Sequence, residues 1–244
     1  MAEVKREYYP SGELESECFE INGIKEGAFK IYTENGKLYG INNYVNGKLG
    51  GECKIYCENG ELYKITNYVN GLKEGECKTY YDDGQLKNIC NYINDIEEGE
   101  YKCYHMNGQI CYIGNYVNGM RQGEYKQYYE TGELEINFNY VDGKREGEFK
   151  CYYMNGHLFC ILNYVNGIKQ GEYKHYYESG KLKSICNYVN GKREGEYKSY
   201  YENGQLYQIC NYVNDKREGE FKEYYDDGQL KEISNYINDE KINS

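Results

Sequence analysis

The side chains that could do chemistry in this chain are mainly histidine and cysteine, which serve as metal ligands, nucleophiles or general bases. His105, His157 and His175 are the 3 histidines, and they fall at different places in the pattern of the sequence. Cys53 and Cys57 lie close together, but neither has a neighbouring histidine or a second cysteine pair to complete a zinc site. The sequence therefore predicts no metal site and no catalytic group.

The glycines do not form a phosphate-binding loop either. The 29 glycines recur at a regular spacing, whereas a nucleotide-binding loop needs them clustered between a strand and a helix. We therefore expect that the chain is not an enzyme and that it binds no cofactor.

One glutamate recurs at the start of nearly every repeat and is followed two residues later by a lysine, as in Glu124 with Lys126 and Glu196 with Lys198. Side chains two apart on a strand point to the same face. Each lysine therefore neutralises its glutamate, and the pattern predicts a solvated, self-paired face and not a calcium or general-acid site.

The elements that position these residues are copies of one 24-residue unit. A glycine, defined here as position one, opens each of nine units without insertion or deletion, and a tenth unit precedes them with Glu3 in place of the glycine. We predict a single repeat domain over residues 1–244, with units at 3–26, 27–50, 51–74, 75–98, 99–122, 123–146, 147–170, 171–194, 195–218 and 219–242.

Each unit contains two short runs rich in Tyr, Ile and Val, separated by turn dipeptides such as Asn35-Gly36 and Asn46-Gly47. Asn-Gly favours a two-residue type I′ turn between antiparallel strands. Glycine-bearing turns every 10 to 14 residues leave no room for long helices. The sequence therefore predicts an all-β protein, an elongated single antiparallel β-meander of about ten hairpin units with about twenty strands.

Asparagine stands at position seventeen of all nine full units, as in Asn67 and Asn115. Equivalent residues would lie two strands apart, about 9.6 Å, whereas a ladder of stacked amides needs about 4.8 Å. We therefore expect each asparagine to bond to nearby backbone, close to the turn.

Composition limits the partners and the compartment. The net charge of -11 argues against nucleic acid and disfavours anionic membranes, which attract polybasic segments. The 11 cysteines form no Cys-x-x-Cys pair and are interpreted as small buried hydrophobes in a reducing compartment. The charged N-terminal residues show neither a secretory signal nor a spanning segment, so we expect a cytoplasmic protein.

Position five varies most clearly on this constant frame, and variable positions on a repeat scaffold are where specific recognition would reside. We predict a protein-interaction face there, formed by Ile55, Thr79, Cys103, Gln127, Cys151, His175, Ser199 and Glu223.

The unit Gly-Glu-Tyr-Lys-x-Tyr-Tyr-x-Asn-Gly-x-Leu, followed by Asn-Tyr-Val-Asn-Gly-Lys, resembles the MORN repeat in its longer variant, as in the YwqK-like antitoxin group. Many such repeats carry a tryptophan in the first strand, where this chain has Tyr125, Phe149 or Tyr197. The composition is also similar to that of repeat proteins from giant amoeba-infecting viruses and low-GC bacteria.

The resemblance implies an elongated β-meander and three functions in order of preference. A scaffold for protein–protein interaction comes first. An antitoxin or immunity protein that sequesters a partner toxin is the second. A membrane-apposed, lipid-binding protein is the third, and the negative charge disfavours it.

Overall fold

The computed structural model describes residues 1–242, and within them it contains strands and turns but no helix. The strands pair antiparallel with their neighbours along the chain, which confirms the predicted all-β meander. The chain divides into two compact units, Met1–Met120 and Arg121–Ser244, called here the first and the second unit. The prediction of a single domain over 1–244 stays a prediction.

The strands of the first unit are mostly six to nine residues long. They are β1 (Ala2–Tyr8), β2 (Leu14–Ile21), β3 (Ile24–Tyr32), β4 (Leu38–Val45), β5 (Lys48–Leu49), β6 (Gly51–Tyr56), β7 (Leu62–Val69), β8 (Leu72–Tyr80), β9 (Leu86–Ile93), β10 (Ile96–Glu97), β11 (Gly99–Tyr104) and β12 (Ile110–Val117). The short β13 (Met120–Arg121) falls at the division between the units.

The second unit repeats the same succession. Its strands are β14 (Gly123–Tyr128), β15 (Leu134–Val141), β16 (Lys144–Tyr152), β17 (Leu158–Val165), β18 (Ile168–Tyr176), β19 (Leu182–Val189), β20 (Lys192–Arg193), β21 (Gly195–Tyr200), β22 (Leu206–Val213), β23 (Lys216–Arg217), β24 (Gly219–Tyr224), β25 (Leu230–Ile237) and β26 (Glu240–Ile242).

The strand count exceeds the expected twenty because several strands are interrupted at position twenty-four, the residue before the position-one glycine. Gly51 has a φ of 83°, a left-handed conformation that breaks the regular ladder. The amide of the residue before it, Gly50, still donates to the Asn43 carbonyl at 2.9 Å. The result is a bulge, and it explains why glycine opens the repeat.

The two turns of each repeat differ in type. At Asn46-Gly47 both residues have positive φ, 51° and 78°, which confirms the predicted type I′ turn. At Asn35-Gly36 only the glycine does, and the Thr33 amide donates to the Lys37 carbonyl at 2.7 Å, so three residues form the loop. The two-residue turn predicted there is wrong, because the left-handed glycine closes a three-residue loop with a bulge.

Strand alternation gives the sheet two unlike faces. In the register of β16 and β17, Phe149 lies opposite Leu162 and Cys151 opposite Cys160. We call the face with positions three, five, fourteen, sixteen and eighteen the packed face, and the face with positions two, four, six, fifteen and seventeen the open face. Every core residue with a buried side chain lies on the packed face.

The core is most aromatic in the second unit, where Phe138, Phe149, Leu162 and Tyr164 form a cluster with Cys160. The rings of Phe138 and Phe149 lie 5.2 Å apart between centroids, a distance at which aromatic rings attract each other. Aromatic side chains thus supply much of the core that aliphatic residues supply in most proteins.

Candidate interaction surfaces

The histidines lie in three unlike settings. The ring of His175 packs against Phe159 at 4.6 Å between centroids, whereas Nδ1 of His157 lies 2.7 Å from the Glu178 carbonyl oxygen. His105 belongs to a turn, where its amide donates to the Gln109 carbonyl. Within residues 1–242 no three side chains of His, Cys, Asp or Glu are grouped closely enough to hold a metal ion.

The glutamates of position two pair with the lysines of position four, as predicted. Lys126 Nζ lies 2.8 Å from Glu124 Oε2, and about half of the glutamate side chain, 52%, is exposed. The hydrogen bond that Lys126 donates to Glu124 raises the pKa of the lysine. These pairs make the open face a solvated, charge-balanced surface.

Asn43 and Asn67, at position seventeen, bond to backbone, as expected, but to that of the following repeat, whereas Asn115 Nδ2 donates to the Tyr116 carbonyl in its own strand at 3.5 Å. Asn67 Nδ2 donates to the Glu76 carbonyl at 3.0 Å. Each such bond ties one repeat to the next.

Position five, the predicted interaction face, lies on the packed face. Ser199 is buried, and Ile55, Thr79, Cys103, Gln127, Cys151, His175 and Glu223 are half-buried. Three of them have side-chain hydrogen bonds: Asn88 Nδ2 donates to Thr79 at 2.9 Å, Gln127 Nε2 donates to Glu135 at 2.9 Å, and Lys231 Nζ donates to Glu223 at 2.6 Å. Recognition through these residues stays a prediction.

A different surface of the first unit is exposed and apolar. Each type I′ turn brings positions nineteen and twenty-two together, and Ile93 pairs with Ile96 in this way. The apolar residues at these two positions in the first unit are each between 39% and 54% exposed. We call this surface the turn-edge stripe; it consists of Ile21, Ile24, Val45, Val69, Leu72, Ile93, Ile96, Val117 and Met120.

The turn-edge stripe connects one repeat to the next because position twenty-two covers the following turn. A Cβ placed on Gly47 would lie 3.0 Å from Ile24 Cγ2, and one on Gly119 would lie 3.4 Å from Ile96 Cγ2. Glycine at these turn positions lets the apolar side chains spread over the next backbone.

Carboxylates border the turn-edge stripe. Glu26 accepts a hydrogen bond from the Asn46 amide at 2.7 Å, and Glu98 accepts one from the Asn118 amide at the same distance. Glu74 does the same for Asn94. Because each asparagine follows a residue of the stripe, a row of negative charges lies beside the apolar side chains.

Comparison with known families agrees with this architecture. The model of the MORN repeat variant matches nine consecutive segments, residues 25–46, 49–70, 73–94, 97–118, 121–142, 145–166, 169–190, 193–214 and 217–238. The chain belongs to the MORN repeat variant family. The YwqK-like grouping and the source remain predictions, and residues 3–24 of the predicted first unit lie before the match.

Other comparisons add little to the MORN assignment. No curated protein matches the chain. A crystal structure of TcdB2-TccC3 is 13% identical over 96% of this chain and 17% of that chain, with a TM-score of 0.19. The Tc holotoxin pore of Photorhabdus luminescens is 14% identical over 93% of this chain and 17% of that chain, with a TM-score of 0.19.

A porin-like protein of Bacteroides uniformis is 10% identical over 89% of this chain and 92% of that chain, with a TM-score of 0.18. The MORN chain thus spans about a sixth, 17%, of the TcdB2-TccC3 chain and of the Tc holotoxin pore chain. Scores this low support no argument about function. Among residues 1–242 there is also no long apolar helix of the kind that crosses a membrane.

The second unit of the MORN array carries a different version of the same edge. Position twenty-two is charged there at Lys144, Lys192, Lys216 and Glu240, and Ile168 is the apolar exception. This contrast was the available signal for the turn-edge stripe, which was not among the residues predicted from the sequence. Position nineteen is Val or Ile in every full repeat, whereas position twenty-two changes from mostly apolar to mostly charged.

Proposed function

We propose that this MORN repeat protein is a non-enzymatic scaffold for protein–protein interaction, and that its turn-edge stripe binds a basic amphipathic helix of a partner protein. The observation behind this proposal is the row of exposed apolar side chains along the turns of the first unit, interrupted at position twenty-two by Lys48. Large contiguous apolar patches are uncommon on monomeric soluble proteins, and they mark interaction sites when polar groups surround them.

Charge supports a basic partner. Glu26, Glu74 and Glu98 border the stripe, and each carboxylate uses one hydrogen bond to cap a turn amide. The remaining lone pairs stay available to lysine or arginine side chains of the partner. Complementary charge gives such contacts their specificity and speeds association.

Spacing supports a helix. Equivalent turns are two strands apart, about 9.6 Å. Seven residues of an α-helix span about 10.5 Å, so a helix with an apolar residue in every heptad keeps near-register with successive repeats. A helix with apolar side chains on one face and lysines on the other therefore fits both the spacing and the charge of this edge.

The other two functions implied by the family resemblance have less support. The acidic border of the stripe disfavours anionic lipid, as the net charge of -11 does for the whole chain. An antitoxin would also be a protein-binding scaffold, and no observation on the described residues favours a toxin as its partner.

The experiment uses the full chain and a synthetic 21-residue helix with leucine at heptad positions and lysine on the opposite face. Binding is followed by fluorescence anisotropy of the labelled peptide. The double substitution Leu72→Lys with Ile96→Lys should weaken binding about 30-fold, since each half-exposed side chain contributes about 1 kcal/mol when covered. Lysine already occupies position twenty-two at Lys48, so the variant should fold.

The matched control is Ile168→Lys with Val189→Lys, which adds the same charge to the edge of the second unit. It should leave the affinity unchanged within about twofold. Equal weakening by both doubles would show that bulk charge governs binding and would contradict the proposal. Tighter binding to anionic vesicles than to the peptide would favour the lipid function instead.

A further inference from the structure

Two pairs of cysteines lie directly opposite each other on the packed face. Cys77 of β8 faces Cys90 of β9, and Cys151 of β16 faces Cys160 of β17. Directly opposed residues of antiparallel strands have Cα atoms about 4.5–5.5 Å apart. Disulfides bridge Cα atoms about 4.4–6.8 Å apart, so the register places both pairs within the Cα separation that a disulfide spans.

Other cysteines in comparable positions lack such a partner. Cys53 faces Thr66, Cys186 faces Tyr173 and Cys210 faces Tyr197. All three are buried on the packed face, as Cys77, Cys90 and Cys160 are. The chain therefore contains thiols of equal burial with and without an opposing thiol, and it provides its own controls.

We propose that Cys77–Cys90 and Cys151–Cys160 are two oxidation sites at which hydrogen peroxide forms a cross-strand disulfide. In each pair one thiolate attacks a peroxide oxygen, and the O–O bond breaks to give a sulfenic acid and hydroxide, which takes up a proton to become water. The opposing thiol then attacks the sulfenic sulfur, the S–S bond forms, and a second water leaves. Two thiols lose two electrons in total, and one peroxide is reduced to two waters.

The environment of each pair indicates which thiol attacks first. The hydrogen bond from Cys90 is the main cause that lowers the pKa of Cys77, with help from Thr66 and the nearby Lys64 and Lys73. The thiolate is the nucleophilic form, so Cys77 is the attacking residue and Cys90 the resolving one.

In the second pair the roles fall in the opposite chain order. A hydrogen bond from Cys151 lowers the pKa of Cys160, and Lys169 acts in the same direction. The pKa of Cys151 is raised, with that hydrogen bond as the main cause and burial next. Cys160 is therefore the attacking thiol, and Cys151 resolves the sulfenic acid.

The experiment treats the folded full-length chain with a small excess of hydrogen peroxide. Remaining thiols are then blocked with iodoacetamide under denaturing conditions, and the digest is analysed by mass spectrometry without reduction. We expect a disulfide that joins the peptides containing Cys77 and Cys90. Cys151 and Cys160 should likewise be joined; where the digest leaves both on one peptide, its mass should be lower than that of the reduced peptide by two hydrogen atoms.

Cys53, Cys186 and Cys210 should remain alkylated under the same conditions. Oxidation of these three at the same rate as the pairs would overturn the proposal, because it would show that burial and not opposition governs reactivity. Disulfides that join the paired cysteines to other residues would overturn it as well.

Two serine variants test whether the reaction passes through a sulfenic acid. Serine already occupies position sixteen at Ser234 and position five at Ser199, so Cys90→Ser and Cys151→Ser should fold. Each variant should accumulate a sulfenic acid that dimedone traps, on Cys77 and on Cys160 respectively. A labelled Cys53 with unlabelled Cys77 and Cys160 would contradict the assignment.

Discussion

Phe138→Ala should be among the most destabilising single substitutions in the second unit. Phe138 is 5% exposed, and its ring centroid lies 4.9 Å from Tyr125, 4.9 Å from Tyr140 and 5.2 Å from Phe149. The hydrophobic stabilisation from burying a Phe side chain is about 1.5–3 kcal/mol, and the substitution removes most of it. The cavity and the lost ring contacts raise the expected loss of unfolding free energy to about 3–5 kcal/mol.

Arg145, whose guanidinium lies over the Phe138 ring, keeps the expected loss of unfolding free energy in the lower part of the range of about 3–5 kcal/mol. The guanidinium carbon of Arg145 lies 5.0 Å from the Phe138 ring centroid, but also 5.4 Å from Phe149 and 5.5 Å from Tyr164. Arg145 therefore keeps two aromatic partners after the substitution, and we expect a loss of about 3–4 kcal/mol.

The measurement is urea unfolding of the full chain, followed by circular dichroism and tyrosine fluorescence at one temperature. The control is Val165→Ala, because Val165 is 42% exposed and its truncation should cost less than about 0.5 kcal/mol. A loss below about 1 kcal/mol for Phe138→Ala, or a loss equal to that of Val165→Ala, would refute the view that the packed face is the core.

Two further predictions concern the backbone and pH. Gly147→Ala should lower the free energy of unfolding by about 1–2 kcal/mol, because Gly147 has a φ of 76°. A Cβ added there would meet open space, so the cost would come from the backbone conformation alone. An unchanged melting temperature would contradict the role of position one. Burial, and secondarily Lys183, lowers the pKa of His175. Below pH 6.5 the unfolded chain therefore gains a proton at this residue that the folded chain does not. The melting temperature should fall from pH 7 towards pH 5 as a result. His175→Gln, which copies the residue at Gln127, should remove this part of the pH dependence, and an identical fall in the variant would exclude His175 as its cause.

The sequence predicted the turns and strands well because their causes are local. The spacing of glycines and Asn-Gly dipeptides located the hairpins, and the type I′ turn at Asn46-Gly47 formed as expected. The loop at Asn35-Gly36 did not, because the same dipeptide also closes a three-residue loop when the Thr33 amide bonds to the Lys37 carbonyl. That choice depends on the pairing of the flanking strands and not on the dipeptide itself.

The candidate surfaces were less predictable from sequence. Alternation showed that positions three and five share a face, but it did not show that this face is the packed one. Gln127 and His175 were therefore expected at an interaction surface, and the structure places them half-buried against residues of the chain itself. Which face of a sheet becomes buried depends on the packing of neighbouring repeats, which period-two alternation does not specify.

The repeat period, the hairpin order and the self-paired Glu and Lys rows could be predicted from the sequence, because each follows from interactions between residues close together in one unit. Only the tertiary structure decided that Cys77 faces Cys90, that Ile24 covers Gly47 of the following turn, and that a row of carboxylates borders the turn-edge stripe. The physical reason is register. A bulge at the start of each unit and another beside its loop shift the pairing, so the residues that meet across strands are set by backbone geometry and not by their spacing in the sequence.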